Sequence, residues 1–386
     1  MREVPLPAPT GRISKMMKDN AKKALREWRN ELIGSPKRMS SDSTTIAKYV
    51  KHYISVLEAN KIVEASTLGC YREMLKTIER YDIGSIKLND LSAEDAETWI
   101  SQLLADNRAR SSIRKSFNVL HAAVKHAVSS KRLHADPLGC IKTPKLENKE
   151  PNSLDAPMQA KLVSYLDGAG PTAANVGYAL ALYTGMREGE ICGLRWRDVD
   201  LDAGIIHVRN VIVHDGPTCY EKEPKTKNGR RDIPITNDLA RTIQFRLSDA
   251  EKKYKEVGIE LKPNMYVVGT VADGAGKWMN PHRLWQDWKA VAKSLGLKGT
   301  QDKVPTFHGL RHTYATVAAH IPGTDLKSIQ MNLGHASIKT TMDIYASDNP
   351  EARRAVASAI REMPENARIF RLEEADDNKA KVQLQR

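Results

Sequence analysis

The sequence predicts a mainly α chain with a small β-sheet, an α+β fold in two domains, and three observations carry that reading. Apolar residues recur three and four apart through most of 43–135 and again from 236 onward, the period of helices with one buried face. Between these stretches, "GIIHVRNVIV", "CYEKEPKT" and "GRRDIPI" change to the short β-branched runs of strands. The segment "DPLGCIKTPKLENKEPNSLD", 136–155, holds three prolines and few apolar residues, which marks a linker between two halves. At 386 residues the chain is long enough to build a core in each half.

Taken in order, residues 1–40 read as a flexible basic leader with one helix, "AKKALREWRNELI" at 21–33. Residues 41–140 form an all-helical domain. Its four helices are "TIAKYVKHYISVLEANK", "ASTLGCYREMLKTIERY", "SAEDAETWISQLLADN" and "SSIRKSFNVLHAAVKHAVSSKRL", with Ser66 and Ser92 as N-caps. Residues 141–151 are the linker proper. From 152 to 350 a mixed domain follows, with helices near 157–167 and 173–183, then the strands, then helices again. The Asn228–Gly229 step between the last two strands predicts a tight hairpin, because both residues tolerate positive φ. Residues 351–386 hold a further helix, within "PEARRAVASAIREM" at 350–363, and a charged tail.

Composition narrows the function. The formal net charge of +13 favours an anionic partner, nucleic acid before a membrane surface. No apolar run approaches the roughly 20 residues of a spanning helix, and the first 20 residues lack a secretory core. The cysteines, Cys70, Cys140, Cys192 and Cys219, show neither zinc spacing nor a disulfide pattern, which fits reduced thiols in a cytoplasm. "DGAGKW" at 273–278 lacks the residues of a phosphate-binding P-loop. Clustered carboxylates, which a metal-dependent nuclease needs, do not accompany the polar motifs.

The most informative stretch is "FHGLRHTYATVAAH", 307–320. On a helix His308, Arg311 and His312 project together, while Leu310, Tyr314, Val317, Ala318 and Ile321 supply an apolar side. Tyr314 and Tyr183 both sit in apolar helical patterns and read as core. A second motif, "LKSIQMNLGHASIKTTMDIY", has the form of a helix-turn-helix with Gly334 at the turn.

Read together and in order, these pieces resemble the tyrosine recombinases of the phage-integrase type. "YTGMREGEICGLRWRDVDL" resembles the family's first arginine box and implies a catalytic Arg187 supported by Glu190. "EPKTKNGRRDIPI" resembles the lysine segment and implies Lys225. "HGLRHTYAT" resembles the HxLRH box and implies His308 and Arg311; His312 beside them reads as a packing or hydrogen-bonding neighbour. "LGHASIKTTMDIYA" resembles the closing box and implies His335 and the nucleophile Tyr345. Residues 43–140 resemble the family's core-type DNA-binding domain, and helix 21–33 a remnant of its arm-binding domain.

The resemblance implies metal- and ATP-independent transesterification of DNA, with no cofactor. Tyr345 attacks the phosphorus to form a 3′-phosphotyrosyl link, and Arg187 and Arg311 neutralise the five-coordinate transition state. His308, with a pKa near neutrality, assists the tyrosine, Lys225 protonates the leaving 5′-oxygen, and His335 bonds a non-bridging oxygen. Glu190 orients a neighbouring basic side chain. The implied partners are specific attachment sites in double-stranded DNA, a homotetramer on that DNA, and an excisionase or DNA-bending host protein. Two other readings share some features: a regulator using 325–345 as a helix-turn-helix, and a type IB topoisomerase with the same chemistry.

Overall fold

The computed structural model describes residues 44–146, 151–215, 218–224, 226–274, 276–321 and 324–335, together with Ser337 and Met342. The chain divides between residues 147 and 148 into two compact units, each with its own core. Helix 21–33, the helix at 351–363, Lys225 and Tyr345 lie outside the described residues.

Among its described residues the first unit has four α-helices: α1 (Ile46–Ala59), α2 (Ala65–Glu79), α3 (Ala93–Ala105) and α4 (Arg110–Ser129). Each buries one stripe, and the stripes meet around Trp99, Phe117 and Leu120. Ser92 caps α3 in a reciprocal box: its hydroxyl accepts from Asp95 N–H at 3.2 Å, and the Asp95 carboxylate accepts from Ser92 N–H at 2.9 Å. The cap expected at Ser66 is instead at Glu64, whose side chain makes no capping bond. Glu64 O already accepts from Thr67 and Leu68 N–H, so Ser66 lies within the first turn.

The proline-rich segment is folded at both ends. Leu138 is fully buried in the first core, with its N–H bonded to Asp136, which also pairs with His121 at 2.7 Å. Leu154 is buried in the second core, its N–H donating to Thr313 Oγ1 at 2.9 Å. Proline content reported a lack of regular structure there, not a lack of packing.

The second unit begins with α5 (Ala156–Gly168) and α6 (Ala173–Thr184), the latter buried on nearly every side. The short α7 (Glu188–Cys192) follows, then β1 (Val199–Asp200), β2 (Ile205–Val208), β3 (Val211–Asp215), β4 (Thr218–Lys222) and β5 (Arg231–Pro234). The chain then forms α8 (Asn237–Glu256), α9 (Pro281–Ser294), α10 (Phe307–His320) and α11 (Leu326–Leu333). Tyr178, Trp288 and Phe307 meet edge to face in the core, and Trp288 Nε1 donates to Pro305 O at 2.9 Å, fixing the start of α10.

The strands pair otherwise than Asn228–Gly229 suggests. β3 pairs with β4, Val211 opposite Lys222, whereas β5 joins β2 in a three-stranded antiparallel sheet ordered β1-β2-β5. Residues 227–229 make a 3₁₀ turn capped by Thr226, and neither Asn228 nor Gly229 has positive φ. Tertiary contact overrides the turn propensity, because Asn228 Nδ2 donates to His335 O at 3.1 Å. The apolar side of α10 is also narrower than its sequence implies. Leu310, Ala315 and Ala318 are buried, but Val317 and Ile321 are exposed. Tyr183 is exposed too, lining a cleft with Leu166, Val176 and Phe245 rather than joining the core. Cys192 is a buried thiol on α7.

Candidate active site

The site is assembled around the C-terminal end of α11, where helix geometry leaves carbonyls without partners and a partial negative charge. Three consecutive carbonyls there each receive a different arginine. Asn332 O accepts from Arg231 Nε at 2.6 Å, Leu333 O from Arg311 Nη2 at 2.7 Å, and Gly334 O from Arg187 Nη2 at 3.1 Å. Gly334 makes this approach possible. It adopts φ +64, and a Cβ there would stand 2.8 Å from Asn228 O and 2.9 Å from Arg231 Nη1.

Arg187 enters from the start of α7. Gly185, at φ +65, ends α6 so tightly against Tyr314 that a Cβ would lie 2.5 Å from its ring. Two residues later Arg187 is the N-cap of α7, with its N–H and its Nη1 bonded to the Glu190 carboxylate at 2.9 and 2.8 Å. Its side chain is 40% exposed, so the guanidinium can also meet a ligand.

Glu190 is 2% exposed and takes a second arginine, Arg231, through both oxygens at 3.1 and 2.8 Å. Burial alone would raise its pKa, but the bonds and charge of Arg231, with the charge of Arg187, hold it at about 2. The contrast with Glu188 is direct. Glu188 Oε1 is buried with no hydrogen-bond partner, and desolvation pushes its carboxyl up to about 7.

Arg311 is 3% exposed, and its bonds go to carbonyls, Gly185 O at 2.6 Å and Leu333 O. Burial, then the nearby Arg187, press its pKa down to about 9, with Glu190 opposing. Three guanidiniums therefore converge, and the one carboxylate they bond among the described residues is already shared by two of them. Such a cluster has excess positive charge to offer an anion.

Three imidazoles adjoin the arginines. His308 and His312 stack edge to face at 4.7 Å between ring centres. His308 is pushed down to about 4 by desolvation, then by His312, Arg311 and Arg187; its ring still reaches solvent, as a cleft wall does. His335 is pushed down to about 4 by desolvation and then by Arg311, Arg187 and Arg231, and desolvation lowers His312 as well. The near-neutral pKa expected of His308 thus does not hold in the DNA-free protein, where burial first, then His312 and the arginines, penalise a charged ring. Burial and the neighbouring charges favour the uncharged form of all three rings.

The structure thus brings Arg187, Glu190, His308, Arg311 and His335 together around one helix end. Lys225 and Tyr345 fall outside the described residues. Among the described residues, no group of three or more His, Cys, Asp or Glu could hold a metal ion. Arg231 was missed by motif reading. Its signal is the alternation of β5, where Arg231 and Ile233 face inward while Asp232 and Pro234 face out.

The chain thus has two separately cored units, the second of which gathers three arginines at one helix end. Residues 159–352 match the phage integrase family, and residues 45–143 match the phage integrase SAM-like domain. The chain belongs to the phage integrase family, that of the tyrosine-type site-specific DNA recombinases. It is 26% identical over 314 residues to a tyrosine recombinase XerC-like protein of Caldanaerobacter subterraneus subsp. tengcongensis, covering 76% of each chain. It is 24% identical over 282 residues to the transposase from transposon Tn916 of Enterococcus faecalis, covering 71% of this chain and 67% of that one. Among solved structures, the Tn1549 transposon integrase in complex with a circular intermediate DNA superposes with a TM-score of 0.67 at 19% identity, over 82% of this chain and all of that one. A λ integrase tetramer bound to a Holliday junction gives 0.59 at 20% identity, over 88% and 91%. No helix among the described residues is long and apolar enough to cross a membrane.

Proposed function

We propose that this protein integrates or excises a phage or integrative element by cutting and rejoining DNA at specific attachment sites through a 3′-phosphotyrosyl intermediate. The observation that carries the reading is Arg311, a buried guanidinium beside Arg187 whose hydrogen bonds go to carbonyls rather than to a carboxylate. A phosphodiester would supply the missing negative charge. Arg187 and Arg311 would each bond a non-bridging oxygen and stabilise the charge that develops in the transition state, a contribution of about 3 kcal/mol per fixed donor.

Tyr345 is the proposed nucleophile, its phenol losing a proton as oxygen bonds to phosphorus and the 5′-oxygen leaves. His308, uncharged before DNA binds, accepts that proton, and Lys225 donates one to the leaving oxygen. His335 holds a non-bridging oxygen. Glu190 fixes Arg187. Attack by a second strand's 5′-hydroxyl reverses the step, so the bond energy is kept and neither ATP nor another cofactor is consumed.

The λ integrase tetramer on a Holliday junction and the dimer on a core site support double-stranded DNA as substrate and a homotetramer as the working assembly. An excisionase or DNA-bending host protein is the further partner, and the cytoplasm the place of action. Because arginines neutralise the phosphate, strand cleavage of attachment-site DNA is expected to persist in excess EDTA. Abolition by chelator with rescue by magnesium would remove this mechanism.

A further inference from the structure

Arg231 touches three of the elements that build the site. Its side chain is 6% exposed. Within the described residues it bonds both oxygens of Glu190, Asn332 O at 2.6 Å and, through Nη1, Gly229 O at 3.3 Å. Glu190 in turn bonds the N–H and Nη1 of Arg187, and Arg187 Nη2 returns to Gly334 O. The contacts close a ring, from the end of α11 through Arg231, Glu190 and Arg187 back to the end of α11. Tyr345 follows that end in the sequence.

We propose that Arg231 is a positioning residue for strand cleavage: its fork fixes Glu190, and through it Arg187, to the end of α11. This rests on the phosphotyrosyl reading above. A planar guanidinium spanning both carboxylate oxygens sets their angle as well as their distance, which a single ammonium cannot do. The position of the fork is itself fixed, because β5 pairs Arg231 with Val208 of β2 and the Nε bond anchors the other side. Glu188 shows what a carboxylate on α7 becomes without such a partner: its Oε1 is buried with no hydrogen bond, and burial pushes the carboxyl up to about 7. A Glu190 deprived of Arg231 would move the same way and release its grip on Arg187 as pH falls. A buried ion pair with no part in the reaction would have a different signature, since its loss would change stability and leave the pH profile of the chemistry alone.

The test uses the full chain and nicked DNA carrying its attachment site, with Arg231→Met, Arg231→Lys and the double variant Arg231→Met/Glu190→Gln. The single-turnover rate of covalent adduct formation is measured from about pH 6 to about pH 8, beside DNA affinity and Tm. Arg231→Met is expected to bind DNA nearly as wild type does. Its rate relative to wild type should be down roughly a hundredfold near pH 6 and recover roughly tenfold toward pH 8, as Glu190 regains its charge. The double variant should lose that slope, having no acid at 190. Arg231→Lys carries the test if the Met variant does not fold, and should show a smaller loss with the same sign of slope. A rate ratio constant with pH, or one that tracks only affinity and Tm, would overturn the role of Arg231. A wild-type protein that forms no adduct would instead overturn the reading on which it rests.

Discussion

Arg311 and Glu188 are opposite cases of one rule, that a buried charge must find a partner or give itself up. Arg311 keeps its charge, although burial and Arg187 weaken it, and so stays ready for an anion. Glu188 has no partner and holds its proton instead, with its carboxyl at about 7 against 4.5 for an ordinary glutamate. The folded state therefore binds a proton that the unfolded chain has lost between these values, and wild type loses stability relative to a neutral isostere as pH rises through that window. Glu188→Gln is expected to be more stable than wild type by about 1 to 2 kcal/mol above pH 7, after allowance for partial solvent screening. The advantage should shrink toward pH 5, and thermal unfolding across pH would reveal it; a constant difference would contradict the assigned titration. Arg187 and Glu190 were legible because "YTGMREGEICGLRWRDVDL" resembles the family's first arginine box. The motifs hid Arg231, whose partners Glu190 and Asn332 lie far along the chain in both directions.

At the scale of elements, helix ends do most of the positioning. The end of α11 gathers three arginines, and its Gly334 was legible as a turn residue though not as the floor under Arg231. Capping chemistry is legible where the side chain has both partners within four residues. Ser92 with Asp95 is that case, and Ser92→Ala is expected to cost about 1 kcal/mol, measured by chemical denaturation, with DNA cleavage chemistry unchanged. No change in stability would mean that the capping box contributes nothing. The Asn228–Gly229 step misled for the converse reason. Its local preference is for positive φ, but the Asn228 side chain is committed to His335 O, a partner no local pattern contains. Val317 and Ile321 carry the same lesson, since helical period alone cannot tell how wide a face its neighbours will cover.

Over the whole molecule, two separately cored units and a net charge of +13 fit a protein that grips DNA with more than one surface. Residues 151–386 alone are expected to bind attachment-site DNA more weakly than the full chain, with a shallower dependence of log affinity on log salt, because phosphate contacts made by the helical unit are lost. An unchanged slope would mean that α1 to α4 do not touch DNA. The two-domain plan was legible because period and composition both change across the chain. The pairing of its strands was not, because β2 and β5 are joined across a whole intervening hairpin. In the proposed reaction the arginine cluster presents a phosphate to Tyr345, and trapping on a nicked attachment-site substrate shows whether it does. Wild type should give a denaturant-resistant protein–DNA adduct that maps to the peptide containing Tyr345. Tyr345→Phe, which keeps the ring and removes the oxygen, should bind the same DNA and give none. An adduct formed by the Phe variant, or one mapped to Tyr314 or Tyr183, would contradict the account.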